Sequence, residues 1–348
     1  MTGTGNEKAW VMRLFIVLIL VTGLTGGVSF SQTTSNNYAI LIGGLGGGTE
    51  YKEKFRQYLL DTWQIFTRDF KFPQENVIVL SGAGPEDESF INDVSTKENI
   101  EKYFSDFANR ISDGDNLFVI LFGHGSYDGK NAKLNIPRMD LTDEEYGGLL
   151  DRIKASRIVF VNTASASAPF IQHISAPGRI VITATKSGTQ RNQPLFSGYF
   201  VEALKNAGAD LDKNGNLSVL EVFKYASEKT FRWYEENNHL ATEHPQIEDT
   251  GDKKSFRDSE LIDTTEGNLA EITFFKNSLL ILTENEEAQG DSVLIGLLRE
   301  KAETEMKIAE LKNEKSTLTE EEYFSRLEKL LLDLARINEE IEKRKGKG

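Results

Sequence analysis

From Tyr38 onward, unbroken apolar runs alternate with amphipathic segments. Tyr38-Ala-Ile-Leu-Ile42 is such a run, stopped by glycines at 43, 44 and 46 to 48, and it predicts a strand buried on both faces. Tyr51 to Phe70 carries Phe55, Leu59, Trp63 and Phe66 at helical spacing, and Asn76-Val-Ile-Val-Leu80 reads as a second strand. Thr96 with Asn99 three residues on opens another helix reaching Ile111, and Asn116 to Phe122 is a third, fully apolar strand. Arg157 to Val161 and Arg179 to Ala184 supply two more. Continuously apolar strands separated by helices predict an α/β fold with a mostly parallel central sheet covered on both faces. In such sheets, ligands and catalytic groups gather at the carboxyl ends of the strands.

The pattern changes after about Asn285, where Glu, Lys and Leu dominate and glycine nearly vanishes. Tyr323, Leu327, Leu330, Leu334, Ile337 and Ile341 form one apolar seam on a helix, opened by a capping box at Thr319 and Glu322. Asp291 to Asn313 carries a second set of apolar positions at Leu294, Leu297, Leu298, Ile308 and Leu311. Residues 290–345 therefore read as an α-helical hairpin, which either docks on the preceding domain as a lid or pairs with a second copy as a homo-oligomer.

At the other end, Lys8 and Arg13 precede the apolar stretch Leu14 to Leu24 and small residues ending at Ser31. This is the pattern of a signal peptide over 1–31, and it predicts a secreted or periplasmic protein with no membrane association after cleavage. An uncleaved anchor is the alternative, though the run is shorter than the ~20 residues a span requires. The domain proper would then run over 37–285. Its composition, 39% hydrophobic and 27% charged, is that of a folded chain. With 40 Lys and Arg against 54 Asp and Glu the formal charge is −14, and no basic stripe interrupts it, so nucleic acid is excluded as a partner. The chain has no cysteine, which removes disulfides and every thiol nucleophile.

The glycines after the first strand fit neither GxGxxG nor GxxxxGK[ST], so they read as a flexible loop rather than a phosphate cradle. The third strand runs into Gly123-His124-Gly125-Ser126. Glycine on both sides of His124 lets other backbone approach the ring, which suits a proton-transfer residue facing a peptide. The alternative is a histidine that merely satisfies a loop carbonyl. The next strand ends in Asn162-Thr-Ala-Ser-Ala-Ser167, a turn of small residues at the same edge.

A strand ending Gly-His-Gly, followed by a second strand ending [Asp/Glu]-Ala-Cys-x-Ser-Gly, marks the legumain-type cysteine peptidases. This chain resembles them over roughly Tyr38 to Gly251, through its glycine loop, Gly123-His-Gly125 and Val161-Asn-Thr-Ala-Ser-Ala166. The resemblance implies a caspase-like three-layer sandwich and a catalytic edge formed by His124, Gly125, Ala164 and Ser165. It puts Asn162 at the family's acidic residue, Thr163 at its alanine and Ala164 at its cysteine. A methyl group cannot attack a carbonyl, so thiolate chemistry is impossible at Ala164. Three readings follow. The first is a peptidase homologue that binds a peptide or protein in a retained cleft without cutting it. The second is an endopeptidase with Ser165 or Ser167 as nucleophile and His124 as base, although alternation along the strand need not turn Ser165 toward His124. The third is an alanine substituted for cysteine to trap an inactive enzyme, against which the intact leader argues. An assembly role through the carboxyl-terminal helices is a different class again.

A further motif is local and independent of that resemblance. Asp210-Leu-Asp212-Lys-Asn214-Gly215-Asn216-Leu-Ser218-Val-Leu-Glu221 fits D-x-[DN]-x-[DN]-G-x5-E at every defined position. The spacing predicts one Ca2+ held by Asp210, Asp212, Asn214, the carbonyl of Asn216, Ser218 and bidentate Glu221, with Leu217 tied into the core. The bland alternative is an acidic turn that caps the helix after it. A single loop suggests a structural ion that could replace missing disulfides. His244-Pro-Gln-Ile-Glu-Asp-Thr-Gly-Asp252 gathers a histidine and three carboxylates, either a specificity loop, a second cation site or a solvated turn, and no ligand is assigned in it. His173 and His239 stand alone.

Overall fold

The computed structural model describes residues 36–85, 88–262, 264–276, 291–315 and 318–345. The expected signal peptide over 1–31 lies outside them. Five strands follow the predicted runs: β1 (Asn37–Gly43), β2 (Val77–Ser81), β4 (Asn116–Phe122), β7 (Arg157–Asn162) and β8 (Arg179–Thr183). With the short strands β3 (Asp93–Val94) and β10 (Gln246–Glu248) they make one sheet in the order β10-β8-β7-β4-β1-β2-β3. All of its pairings are parallel except that of β10 with β8.

The apolar runs are unbroken because each strand buries both faces. In β1, Ala39 and Leu41 join one core cluster while Tyr38, Ile40 and Ile42 join the other, and β4 divides in the same way between Phe118, Ile120 and Phe122 and Leu117, Val119 and Leu121. The first cluster is covered by α1 (Thr49–Gln64), α5 (Phe196–Lys205) and α6 (Val219–Glu236), through Phe55, Leu59, Phe196, Phe200 and Phe223. The second is covered by α2 (Lys97–Arg110), α3 (Asp143–Leu150) and α4 (Phe170–Ile174), through Phe104, Phe107, Tyr146 and Phe170. The chain is thus a three-layer α/β sandwich. Thr96 caps α2 by accepting from the Asn99 N–H at 3.3 Å, as its position in the sequence requires.

The first helix departs from its predicted extent. It begins at Thr49 and its regular part stops at Gln64, after which Ile65–Asp69 widens into a π-turn. The Thr67 hydroxyl donates to the Trp63 carbonyl at 2.7 Å and competes for the oxygen of the preceding turn, a cause sequence periodicity does not register.

Two small ladders complete the domain: β5 (Gly125–Tyr127) with β6 (Ala132–Leu134), and β9 (Leu217–Ser218) with β11 (Phe274–Lys276). The carboxyl-terminal residues form α8 (Ser292–Glu314) and α9 (Glu320–Lys345). Thr319 and Glu322 make the expected reciprocal bonds at the start of α9, and Asp291 caps α8 through the Leu294 N–H at 3.0 Å. Leu297 on α8 meets Ile337 and Ile341 on α9, and Tyr323 at the start of α9 is buried as well. The hairpin touches the domain through an ion pair between Lys312 and Glu271 of α7 (Asn268–Glu271), at 3.3 Å.

Candidate functional site

Strands β7, β4 and β1 are neighbours, and their carboxyl ends lie level, with Gly43 opposite Phe122 and Leu121 opposite Asn162. The parallel register therefore brings three loops together at one edge: the glycine loop, His124-Gly125 and the turn from Thr163 to Ser167. Gly123 and Gly125 serve the purpose the sequence suggested. A side chain on Gly125 would stand 2.1 Å from the Ser165 carbonyl oxygen, and one on Gly123 would stand 2.8 Å from Leu134 and 3.3 Å from the Gly44 backbone.

His124 is half-buried, with Tyr51 and Phe55 of α1 edge-on at 4.7 and 5.2 Å between ring centres. Its Nε2 lies 3.3 Å from the Gly46 carbonyl oxygen. A carbonyl only accepts, so this contact selects the tautomer with hydrogen on Nε2 and leaves Nδ1 as the basic nitrogen. These positioning partners were not foreseen. Tyr51 and Phe55 read only as a helix face, and no side-chain signal marks the Gly46 carbonyl. Gly46 also lines a cleft of about 400 Å³ between the glycine loop, α1 and the end of β2, with Lys52, Arg56 and Ser81 among its other lining residues.

The turn after β7 is held from every side. Ala164 is fully buried, its methyl lies in the core cluster beneath α3 and α4, and its N–H donates to Asn162 Oδ1 at 3.0 Å. The Ser165 hydroxyl accepts from the Gly125 N–H at 3.0 Å and donates to the Gly125 carbonyl at 3.1 Å, and the residue is 2% exposed. Both of its hydrogen bonds go to the backbone beside His124 rather than to the imidazole. Ser167 is completely buried against the Thr185 hydroxyl at 3.1 Å. Ala166 holds a left-handed conformation, φ +52°, fixed by its N–H donating to the Gln190 carbonyl at 2.8 Å.

The second predicted group sits on the loop between α5 and α6. One carboxylate oxygen from each of Asp210, Asp212 and Glu221 lies within 4.8 Å of the other two. The backbone turns as the motif demands, with Lys213 at φ +58° and Gly215 at φ +85°, and the Gly215 N–H donates to Asp210 Oδ2 at 2.9 Å. Asn214 Oδ1 accepts from the Asn216 N–H at 2.7 Å, which gathers that side chain into the same loop. Leu217 is buried in β9, and β11 supplies the neighbouring strand that the single loop had no visible partner for. Ser218 is more than a ligand candidate. Its hydroxyl caps α6 by accepting from the Glu221 N–H and also donates to Glu221 Oε2 at 2.8 Å. Both Glu221 oxygens are thus engaged by Leu211 and Ser218, in the helix-capping arrangement of this loop. Glu305 of α8 faces the loop, and burial, with a small addition from Asp212, pushes its carboxyl above the ordinary value.

His244 does not reach the His124 edge through any hydrogen bond of its own. Its Nδ1 meets Gln190 Nε2 at 2.6 Å, and burial, followed by Lys186 and Arg257, lowers its affinity for a proton.

No protein-family model and no curated protein matches the sequence. Among solved structures, the fold is similar to that of protein GSU0716 from Geobacter sulfurreducens, at 13% identity and a TM-score of 0.43, over 62% of this chain and 94% of that one. Among the described residues, no helix is long and apolar enough to cross a membrane.

Proposed function

We propose that this chain is a secreted homologue of the legumain-type peptidases that binds a peptide or protein at the carboxyl edge of its sheet and does not hydrolyse it. The observation that carries this reading is the state of the turn after β7. Ala164 has no attacking atom, and the serine hydroxyls of the same turn, on Ser165 and Ser167, are buried and occupied by Gly125 and Thr185. A serine nucleophile needs a base within hydrogen-bond reach, and these serines spend their hydrogen bonds elsewhere. His124 then acts as a binding group, with its Nδ1 available to a peptide N–H and the adjacent cleft available to a side chain.

The loop over 210–221 holds calcium in this reading. Its donors are all oxygens, as a hard cation requires, and among the described residues no salt bridge neutralises Asp210, Asp212 or Glu221. Glu221 would exchange its hydrogen bonds from Leu211 and Ser218 for the ion. The ion's part is structural, since it ties the loop after α5 to the start of α6, beside the β9–β11 ladder, in a chain without disulfides.

The deciding experiment exposes wild type, Ser165→Ala and Ser167→Ala to a diverse peptide library with calcium present, scoring both cleavage and retention. Retention without cleavage by all three supports the proposal. Cleavage by wild type that one serine substitution abolishes would make the chain a serine endopeptidase.

One observation favours a second reading. Phe324, Leu331 and Leu332 on α9 are 54%, 49% and 65% exposed, although the predicted seam is turned inward. That apolar stripe suits assembly with a second copy, and deletion of 291–345 would then change the oligomeric state seen by light scattering.

A further inference from the structure

A second set of carboxylates lies where β10 leaves the sheet. Strand β10 runs against β8, with Glu248 opposite Val181, so the chain beyond it heads toward the amino end of β8, away from His124. Gly251 passes close to Ala176 and Pro177 there, with φ +82°, a turn that permits the tight return of the chain.

One carboxylate oxygen each from Glu248, Asp252 and Glu266 lies within 4.8 Å of the others. Glu248 is completely buried, and Glu266 is 6% exposed. Their oxygens are unequally served. Glu248 Oε1 accepts from the Gly251 N–H at 2.5 Å, and Glu266 accepts from the Asp249 N–H at 2.9 Å and the Thr250 hydroxyl at 2.8 Å. Glu248 Oε2 is buried without a hydrogen-bond partner among the described residues. An unpartnered oxygen on a buried carboxylate is costly, and native proteins rarely leave one without water, an ion or a proton.

Asp249 adds a fourth carboxylate, the third that is buried, satisfied by the Gly267 and Ala270 N–H groups at 2.8 Å each. Against these four, among the described residues, the ammonium in contact is that of Lys254, which pairs with exposed Asp252 at 2.9 Å. It sits on the solvent side and does not reach the interior oxygens through any bond of its own. A compact positive charge inside the cluster would satisfy Glu248 Oε2 and offset the repulsion among the others.

We propose that Glu248, Asp252 and Glu266 form a second cation site, taking calcium, at the edge of the sheet opposite His124. The donors are all oxygens, which selects a hard divalent cation over the softer metals that prefer histidine or sulfur. The Thr250 hydroxyl stands beside both Glu248 and Glu266, at 3.4 and 2.8 Å, as a further oxygen donor. The ion would fasten the end of β10 to the turn before α7, two segments otherwise joined by a few side-chain bonds. This site rests on its own residues and does not depend on the loop over 210–221.

The test is calcium stoichiometry by equilibrium dialysis with elemental analysis, on the full mature chain, for wild type, Asp210→Ala, Glu248→Gln and Asp252→Asn. Two ions per wild-type chain, falling to one in Asp210→Ala and to one in Glu248→Gln, is the expected result. Asp252→Asn, at an exposed position, covers the case in which Glu248→Gln fails to fold, and it should weaken the second ion by tenfold or more. One ion in wild type that disappears in Asp210→Ala and survives in Asp252→Asn would overturn this proposal and leave the loop reading intact. One ion that survives Asp210→Ala and is lost in Glu248→Gln or Asp252→Asn would do the reverse.

Discussion

Ser165→Ala distinguishes a structural hydroxyl from a chemical one. The Ser165 Oγ makes two hydrogen bonds with the same residue, accepting from the Gly125 N–H and donating to the Gly125 carbonyl, in a position 2% exposed to solvent. Removing it leaves a backbone donor and a backbone acceptor without their partner next to His124. A net hydrogen bond contributes about 1 kcal/mol, and an unsatisfied buried group costs ~1–3 kcal/mol. Gly125 is only half-buried, so water recovers part of the loss, and the expected destabilisation is about 2–3 kcal/mol. In a domain of this size that corresponds to a fall in melting temperature of about 4–6 °C. Urea unfolding of wild type and variant should show a lower midpoint at unchanged slope, since a point change of this kind leaves the surface exposed on unfolding the same. An exposed nucleophile would behave in the opposite way, with stability within about 0.5 kcal/mol of wild type. An unchanged midpoint would refute the strut reading of Ser165.

Other perturbations separate the remaining claims. Gly125→Ala would drive a methyl to 2.1 Å from the Ser165 carbonyl, and because the obstacle is backbone the cost should exceed the ~1–3 kcal/mol of ordinary overpacking, visible as insoluble or melted protein. Chelation should lower thermal stability by about 2.7 kcal/mol for each calcium ion present at one hundred times its dissociation constant, and Asp210→Ala should lose the share that belongs to the 210–221 loop. His244 has a folded proton affinity below its unfolded one, so its neutral form favours the native state: its contribution is fully present above the unfolded value of about 6.5 and is lost as pH falls through the lower, folded value. Chemical denaturation of His244→Gln between pH 7 and pH 5 should show a flatter decline than wild type, and parallel curves would refute the assignment.

The parts of this fold visible in the sequence are those with a local physical cause. The five long strands announce themselves because burial on both faces excludes polar residues, and Thr96 and Thr319 mark helix starts because an open N–H needs an acceptor. Strand β10 has only three residues, Gln246-Ile-Glu248, and its antiparallel direction comes from its position against β8, which no spacing encodes. The carboxyl-edge site divides in the same way. His124 between glycines is legible, and alternation already left Ser165 free not to face it, yet the Gly46 carbonyl and the Gln190 strut on Ala166 depend on loops that meet only in space. The cluster at Glu248 is half legible, since Asp252 is near in sequence while Glu266 arrives from beyond the turn at 251–257.

The late position of β10 and β11 sets an order on how the chain can be made. Strands β1, β2, β4, β7 and β8 are synthesised first, and β8 then waits roughly 60 residues, about 3–12 s at ordinary elongation rates, for its outer neighbour. During that interval Ile180 and Ile182 lie on an unpaired strand edge, the feature most prone to join another chain. The loop over 210–221 waits longer still, because Phe274–Lys276 closes its ladder. A nascent chain therefore holds every residue of the His124 edge while the outer edge of β8 is still open, and premature termination before Gln246 leaves that edge bare.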